Sequence, residues 1–190
     1  MLVCGVIPAR LHSTRLPGKL LLNETGKSLI QHTWEAAAGS ERLDRLIVAT
    51  DSLEILECVH GFGGKACLTG EHPNGTDRIA EVAKQELFDA DILVNIQGDE
   101  PEISPVFIDQ LIDVLIQSPT ADMATLATPI RELEQLQDPS CTKVVCRTDG
   151  SAMYFSRFHT LVIRVQNSCC LTRVPGCYIW ESMHTADLSC

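Results

Sequence analysis

The sequence predicts an α/β protein: an open, mostly parallel sheet with right-handed crossovers, layered with helices. Three apolar runs of strand length, at 2–7, 45–50 and 91–96, alternate with segments of helical periodicity, and turn residues gather at the carboxyl ends of the first and third runs. The run LVCGVI at 2–7 has the unbroken apolar character of a strand buried on both faces. Pro8 is expected to end it, since proline cannot donate to a ladder, and Pro17-Gly18 forces a second turn. Residues 27–38 place Leu29, Ile30, Thr33, Trp34 and Ala37 at helical spacing, and 45–50 reads as a buried strand. Asp51 is expected to cap the next helix, running to about Val59, with Glu54 completing a capping-box pattern. Gly61 to Gly64 then reads as a helix C-terminal turn. A short strand at 66–68, a turn-rich stretch at 70–75 and a helix at 76–87 lead to the strand at 91–96. A helix at 105–117 and strands at 122–130 and 142–146 complete the pattern.

Composition narrows the function. The chain has 190 residues, 45% of them hydrophobic and 21% charged, which suits one globular domain with a sizeable core. No stretch reaches the roughly 20 apolar residues of a membrane helix, and the N-terminus carries no export pattern, so the expectation is a cytoplasmic protein without a membrane partner. A net charge of −10 argues against nucleic-acid binding, which leaves a basic footprint. Of the nine cysteines, Cys4, Cys58, Cys67, Cys141 and Cys146 sit in apolar or strand-like contexts and read as small buried hydrophobes. Cys169, Cys170, Cys177 and Cys190 crowd into the last 22 residues without metal-ligand spacing.

Three segments carry chemistry. The loop after the first strand packs Arg10, Arg15 and Lys19 closely together; arginine offers a planar fork for bidentate phosphate contact and lysine a compact charge, a division suited to a polyphosphate. The competing reading is a hydrated basic loop. At the end of the strand at 91–96 stands Gln97-Gly98-Asp99-Glu100-Pro101, where an acid behind a glycine can approach a metal closely. Magnesium takes one or two carboxylates plus substrate phosphate oxygens, so Asp99 is the candidate ligand. Glu100 and Glu102 read equally as metal ligands, surface acids or caps. In the third segment, His72 to Arg78, an Asn-Gly turn precedes a helix opening at Thr76 or Asp77. Arg78 in a first helical turn opposes the dipole, and either contact with a phosphate or base, or pairing with Asp77 or Glu81, would account for it.

These segments, in this order, resemble the 3-deoxy-manno-octulosonate (KDO) cytidylyltransferases. The resemblance rests on IPARLHSTRLPGK at 7–19, IVATD at 47–51, HPNGTDRIAE at 72–81, VNIQGDEP at 94–101, MATLATPI at 123–130, TKVV at 142–145 and AMYFSR at 152–157. It implies a Rossmann-like sheet of the nucleotide-diphospho-sugar transferase type and transfer of a cytidylyl group from CTP to KDO, with Mg²⁺, for lipopolysaccharide synthesis. The resemblance assigns Arg10, Arg15 and Lys19 to the triphosphate, Asn74, Gly75, Thr76 and Arg78 to the nucleotide, Asp99 to magnesium, and Gln97 and Arg157 to the sugar acid. It also implies a homodimer. Sialic-acid cytidylyltransferases share the fold but carry a Gly-Ser-Lys form of the first loop, absent here.

The likeness covers residues 1–158, read as the nucleotide-binding domain. Residues 159–190 form an atypical, cysteine-rich tail without the family's His-x-Gly-Ile-Tyr and Asp-Thr-Pro-Glu-Asp segments. A frameshift or premature stop near residue 158 is the expectation, and with it loss of the dimer surface and a second metal carboxylate. A CTP-binding remnant without activity, or a related cytidylyltransferase for an acidic sugar of the sialic-acid type, is the alternative. A P-loop kinase is discounted because Leu21 stands where Thr25-Gly26-Lys27-Ser28 would need an upstream glycine. A dehydrogenase lacks its G-x-G-x-x-G after the first strand.

Overall fold

The computed structural model describes residues 1–12, 16–158, 171–173 and 177–181. In chain order its elements are β1 (Val3–Ala9), α1 (Leu29–Ala38), β2 (Arg45–Thr50), α2 (Leu53–Gly61), β3 (Ala66–Leu68), α3 (Gly75–Gln85), β4 (Ile92–Ile96), α4 (Pro105–Ile116), β5 (Met123–Thr125), β6 (Thr128–Pro129), α5 (Leu133–Gln137), β7 (Lys143–Cys146), β8 (Ala152–Ser156), β9 (Leu171–Arg173) and β10 (Cys177–Glu181). A 3-10 turn spans Lys19–Leu21.

The chain divides into two compact units, one formed by Met1–Ala124 with Gly176–Cys190 and the other by Thr125–Pro175. A six-stranded sheet runs β3-β2-β1-β4-β10-β5, and a four-stranded sheet runs β6-β9-β7-β8. In the first, β1 is central and parallel to both β2 and β4, β3 is parallel to β2, and β10 joins β4 antiparallel. The sheet is therefore open and mostly parallel, as the sequence predicts. In the second, β7 pairs antiparallel with β8 and β9, and β9 with β6.

Burial on both faces explains the apolar runs. Cys4 and Val6 of β1 join Ala49, Leu93 and α3 residues Ile79, Val82 and Ala83 in one buried cluster. Ile7 lies on the opposite face, beside Gly98 and Ile30 of α1. Strands covered by helices on both sides have no position left for a polar alternation. No helix among the described residues is long and apolar enough to cross a membrane.

The structure corrects several expectations. β1 continues through Pro8 to Ala9, in register with Ala49 and Thr50 of β2. Its ladder with β4 ends at Val6, so Pro8 lies where β1 has a neighbour on one side only and its missing N–H removes no bond to β4. The α2 cap is Ser52, not Asp51: the Ser52 hydroxyl accepts from Ile55 N–H and donates to Glu54 at 2.6 Å. α3 opens at Gly75, one residue early, because Asn74 caps it by accepting from Asp77 N–H at 2.8 Å. The strand expected over 122–130 is two short strands in different sheets, and α5 and β8 went unread. Of the cysteines read as buried, Cys4 is fully so, while Cys58, Cys67, Cys141 and Cys146 are half-buried.

Burial pushes the Cys4 thiol from 9.0 up to about 11, Arg45 only partly offsetting it. The folded state thus holds the proton more tightly than the unfolded chain. The associated stability is full below about pH 9 and is lost as pH rises toward about 11. Cys4 is also expected to be the slowest described cysteine to alkylate at neutral pH, which peptide mass mapping after a timed iodoacetamide pulse would measure.

Candidate functional site

The carboxyl ends of β1 and β4 lie side by side, and the loops leaving them meet around a cavity of about 140 Å³ lined by Pro8, Arg10, Lys19, Gln97, Gly98 and Asp99. In open α/β sheets this edge is the ligand edge. Lys19 reaches it because the chain after β1 turns back at Gly18, whose φ of 67° suits glycine and whose N–H donates to Leu11 carbonyl at 2.9 Å. The 3-10 turn beginning at Lys19 then buries Leu20 and leaves the lysine amine facing Asp99, with which it forms an ion pair. Both side chains keep solvent contact, 31% for Lys19 and 44% for Asp99, so the pair can open to admit a ligand. Arg10 is exposed and has no ion-pair partner among the described residues, which leaves its guanidinium fork available to an anion.

The acid is held from behind. Thr33 of α1, fully buried, donates to the Gly98 carbonyl at 3.0 Å. A Cβ at Gly98 would meet Ile30 Cδ1 at 3.3 Å and Pro8 oxygen at 3.4 Å, so only glycine fits without displacement. Gln97 donates its amide N–H to Asn95 at 3.2 Å, which leaves its carbonyl oxygen as an acceptor at the cavity. That acceptor suits a hydroxyl better than a carboxylate.

Of the other residues singled out from the sequence, Asn74 spends its side chain on Asp77, accepting from the backbone and donating to the carboxylate at 2.9 Å. Gly75 packs against Pro8, where an added Cβ would lie 3.1 Å from Pro8 Cγ, and Thr76 follows half-buried. Arg78 is 3% exposed and donates to Asp51 at 2.6 Å, to the Thr69 hydroxyl and to the Gly70 carbonyl. Its partners are thus neither Asp77 nor Glu81, and its guanidinium is engaged inside the protein. Arg157 belongs to the 125–175 unit, is exposed, and donates to the Pro139 carbonyl at 3.4 Å. Arg15 lies outside the described residues. A larger cleft of about 500 Å³ along edge strand β3, with His60, Lys65, Cys67 and Glu86 on its walls, contains none of these residues.

Sequence reasoning named Thr33, Asp51 and Glu81 in other roles and missed what they hold: Gly98, Arg78 and Gly70. Thr33 left only a weak signal: a hydroxyl on the buried stripe of a helix can bond back within it, as this one does to the Leu29 carbonyl at 3.3 Å, as well as reach beyond it. Glu81 accepts from His72 and Gly70, and the His72 hydrogen bond holds its carboxyl below the ordinary range.

Residues 4–185 match the family described as cytidylyltransferase. The chain belongs to the cytidylyltransferase family. It is 50% identical over 153 residues to a 3-deoxy-manno-octulosonate cytidylyltransferase of Rhodopirellula baltica, covering 80% of this chain and 61% of that one. It is 48% identical over 159 residues to the enzyme of the same name from Syntrophobacter fumaroxidans, covering 83% and 64%. The cytidylyltransferase chain thus spans a little over three fifths of the length of these curated relatives. A solved CMP:2-keto-3-deoxy-manno-octonic acid synthetase complexed with CTP superposes with a TM-score of 0.88 at 38% identity, covering 95% of this chain and 74% of that one. A 4-diphosphocytidyl-2C-methyl-D-erythritol synthase from Anaerococcus prevotii, at 13% identity and a TM-score of 0.58, covers 95% of this chain and 70% of that one and shares the fold. The family resemblance and the fold read from the motifs agree with these matches.

Proposed function

We propose that this cytidylyltransferase chain transfers the cytidylyl group of CTP to KDO, giving CMP-KDO and pyrophosphate, as a cytoplasmic step toward lipopolysaccharide. The observation that carries the proposal is the convergence of Arg10, Lys19, Gln97 and Asp99 on one cavity at the carboxyl ends of β1 and β4. The names of the relatives support the choice of nucleotide and sugar.

In this reading the anomeric hydroxyl oxygen of KDO bonds to the α-phosphorus. The bond from that phosphorus to the bridging oxygen breaks, and pyrophosphate leaves with the electron pair. The hydroxyl proton passes to solvent. No covalent intermediate is needed, so the protein contributes placement and charge. Arg10 and Lys19, with Arg15 of the same loop, hold the triphosphate, and Gln97 accepts from a sugar hydroxyl. Asn74 to Thr76 border the nucleoside, and Arg157, on the 125–175 unit, stays the resemblance's candidate for the KDO carboxylate. Arg78 braces Thr69 and Gly70, which lead into that turn.

Asp99 fits magnesium. It is a half-exposed carboxylate with one cationic partner, and no cluster of three or more metal-ligating side chains exists among the described residues. Such a donor set suits an ion that arrives with nucleotide phosphates better than one held in a protein cage. Bound there, Mg²⁺ would neutralise charge on the phosphate oxygens.

The test is pyrophosphate release by the purified chain with CTP and Mg²⁺, with and without KDO. Release that depends on KDO is the expected result. CTP binding without release would mean that the nucleotide site works alone, and size-exclusion chromatography of the same sample would report whether the implied homodimer forms.

A further inference from the structure

Gly70 is held at both of its backbone polar groups by side chains of one helix. Its N–H donates to Glu81 at 3.0 Å, and its carbonyl accepts from Arg78 at 3.3 Å. Three residues apart on α3, Arg78 and Glu81 share a face. Each also grips a neighbour: Arg78 donates to the Thr69 hydroxyl, and Glu81 pairs with His72 Nε2 at 2.5 Å. Gln85, one turn on, donates to the other Glu81 oxygen at 3.0 Å and fixes the carboxylate plane.

The stretch 69–72 is therefore laid along the first half of α3 before the chain enters that helix. Two residues after His72, Asn74 caps it, and Gly75 abuts Pro8, a wall of the cavity that holds Arg10, Lys19 and Asp99. Neither His72 nor Glu81 lines that cavity. They hold the stretch from which the chain runs on into the 74–76 turn beside Pro8.

We propose that Glu81 is a positioning residue for the nucleoside half of the nucleotide, acting through its clasp on Gly70 and His72. The inference rests on the reading that the 74–76 turn borders the nucleoside. Arg10, Lys19 and Asp99 stand on other elements, and Lys19 and Asp99 pair with each other, so the clasp bears on the nucleoside and not on the phosphates.

The experiment is calorimetric titration of the full chain with CTP and, separately, with inorganic tripolyphosphate. Glu81→Ala is expected to weaken CTP roughly tenfold, about the worth of one charge-assisted hydrogen bond, and to leave tripolyphosphate unchanged. Glu81→Gln, which still accepts from Gly70, recovers most of the CTP affinity. Should Glu81→Ala fail to fold, His72→Ala opens the clasp from its other end with the same expectation. Unchanged CTP affinity in a folded Glu81→Ala or His72→Ala overturns the inference, and so does equal weakening of both ligands, which marks general loosening. If the parent binds CTP and tripolyphosphate alike, the nucleoside reading itself fails and the inference falls with it.

Discussion

Asp99→Ala is expected to reduce KDO-dependent pyrophosphate release by roughly 10²–10³-fold or more, with little loss of stability or of CTP binding. Asp99 stands at the tip of β4 with 44% of its side chain exposed, so truncation leaves no cavity and no buried orphan. Its backbone stays in place because Gly98 is wedged beside Ile30 and Pro8 and held by Thr33. The amine of Lys19 loses its Asp99 carboxylate partner and becomes freer to meet phosphate, which keeps CTP affinity up. Chemistry suffers because the acid proposed to share a divalent ion with the phosphates is gone, and that ion matters most while negative charge moves onto the leaving group. Release near the parent rate, in a variant that melts normally, would remove Asp99 from the site. A variant that loses CTP binding and activity together would instead make Asp99 a binding group.

The residues that the sequence alone brings to the site are those whose role depends on where a strand ends. β1 and β4 are legible because both faces are covered, so nearly every position is apolar, Asn95 being the polar exception in β4, and once the strands are placed Arg10, Gln97 and Asp99 follow at their tips. Lys19 is legible through Pro17-Gly18, since the turn has to bring the chain back. Local rules failed where a distant partner outweighed them. Asp51 is a good cap by residue type, yet Arg78, 27 positions away, takes its carboxylate, and Ser52 caps the helix instead. Arg78 itself was legible as an anomaly, a cation at the wrong end of a helix, but its partners were not, because they come from the ends of two other strands, Asp51 after β2 and Thr69 and Gly70 after β3. Proline at position 8 misled for a related reason: the rule against it concerns a strand paired on both sides, and β1 beyond Val6 is not.

Asp51→Ala is expected to destabilise the fold by about 3 kcal/mol, because it strands a cation in the interior. Arg78 is 3% exposed, whereas the Asp51 side chain keeps 25% of its surface, so the two ends of this pair are not equivalent. Without the carboxylate the guanidinium retains only the Thr69 hydroxyl and the Gly70 carbonyl, both neutral, and it cannot shed its charge at any ordinary pH. In a chain of 190 residues the loss corresponds to a fall of roughly 6–12 °C in the melting temperature, readable by circular dichroism. Asp51→Asn keeps an acceptor and should cost about half as much. Combining Asp51→Ala with Arg78→Met, which removes the stranded charge and fills its path with an apolar stem, should recover much of the stability. It should not recover CTP binding, since Thr69 then loses the side chain that ties it to α3 and Gly70 keeps only its bond to Glu81. Stability and nucleotide affinity would thus part company in the double variant. If they returned together, Arg78 would serve the fold alone.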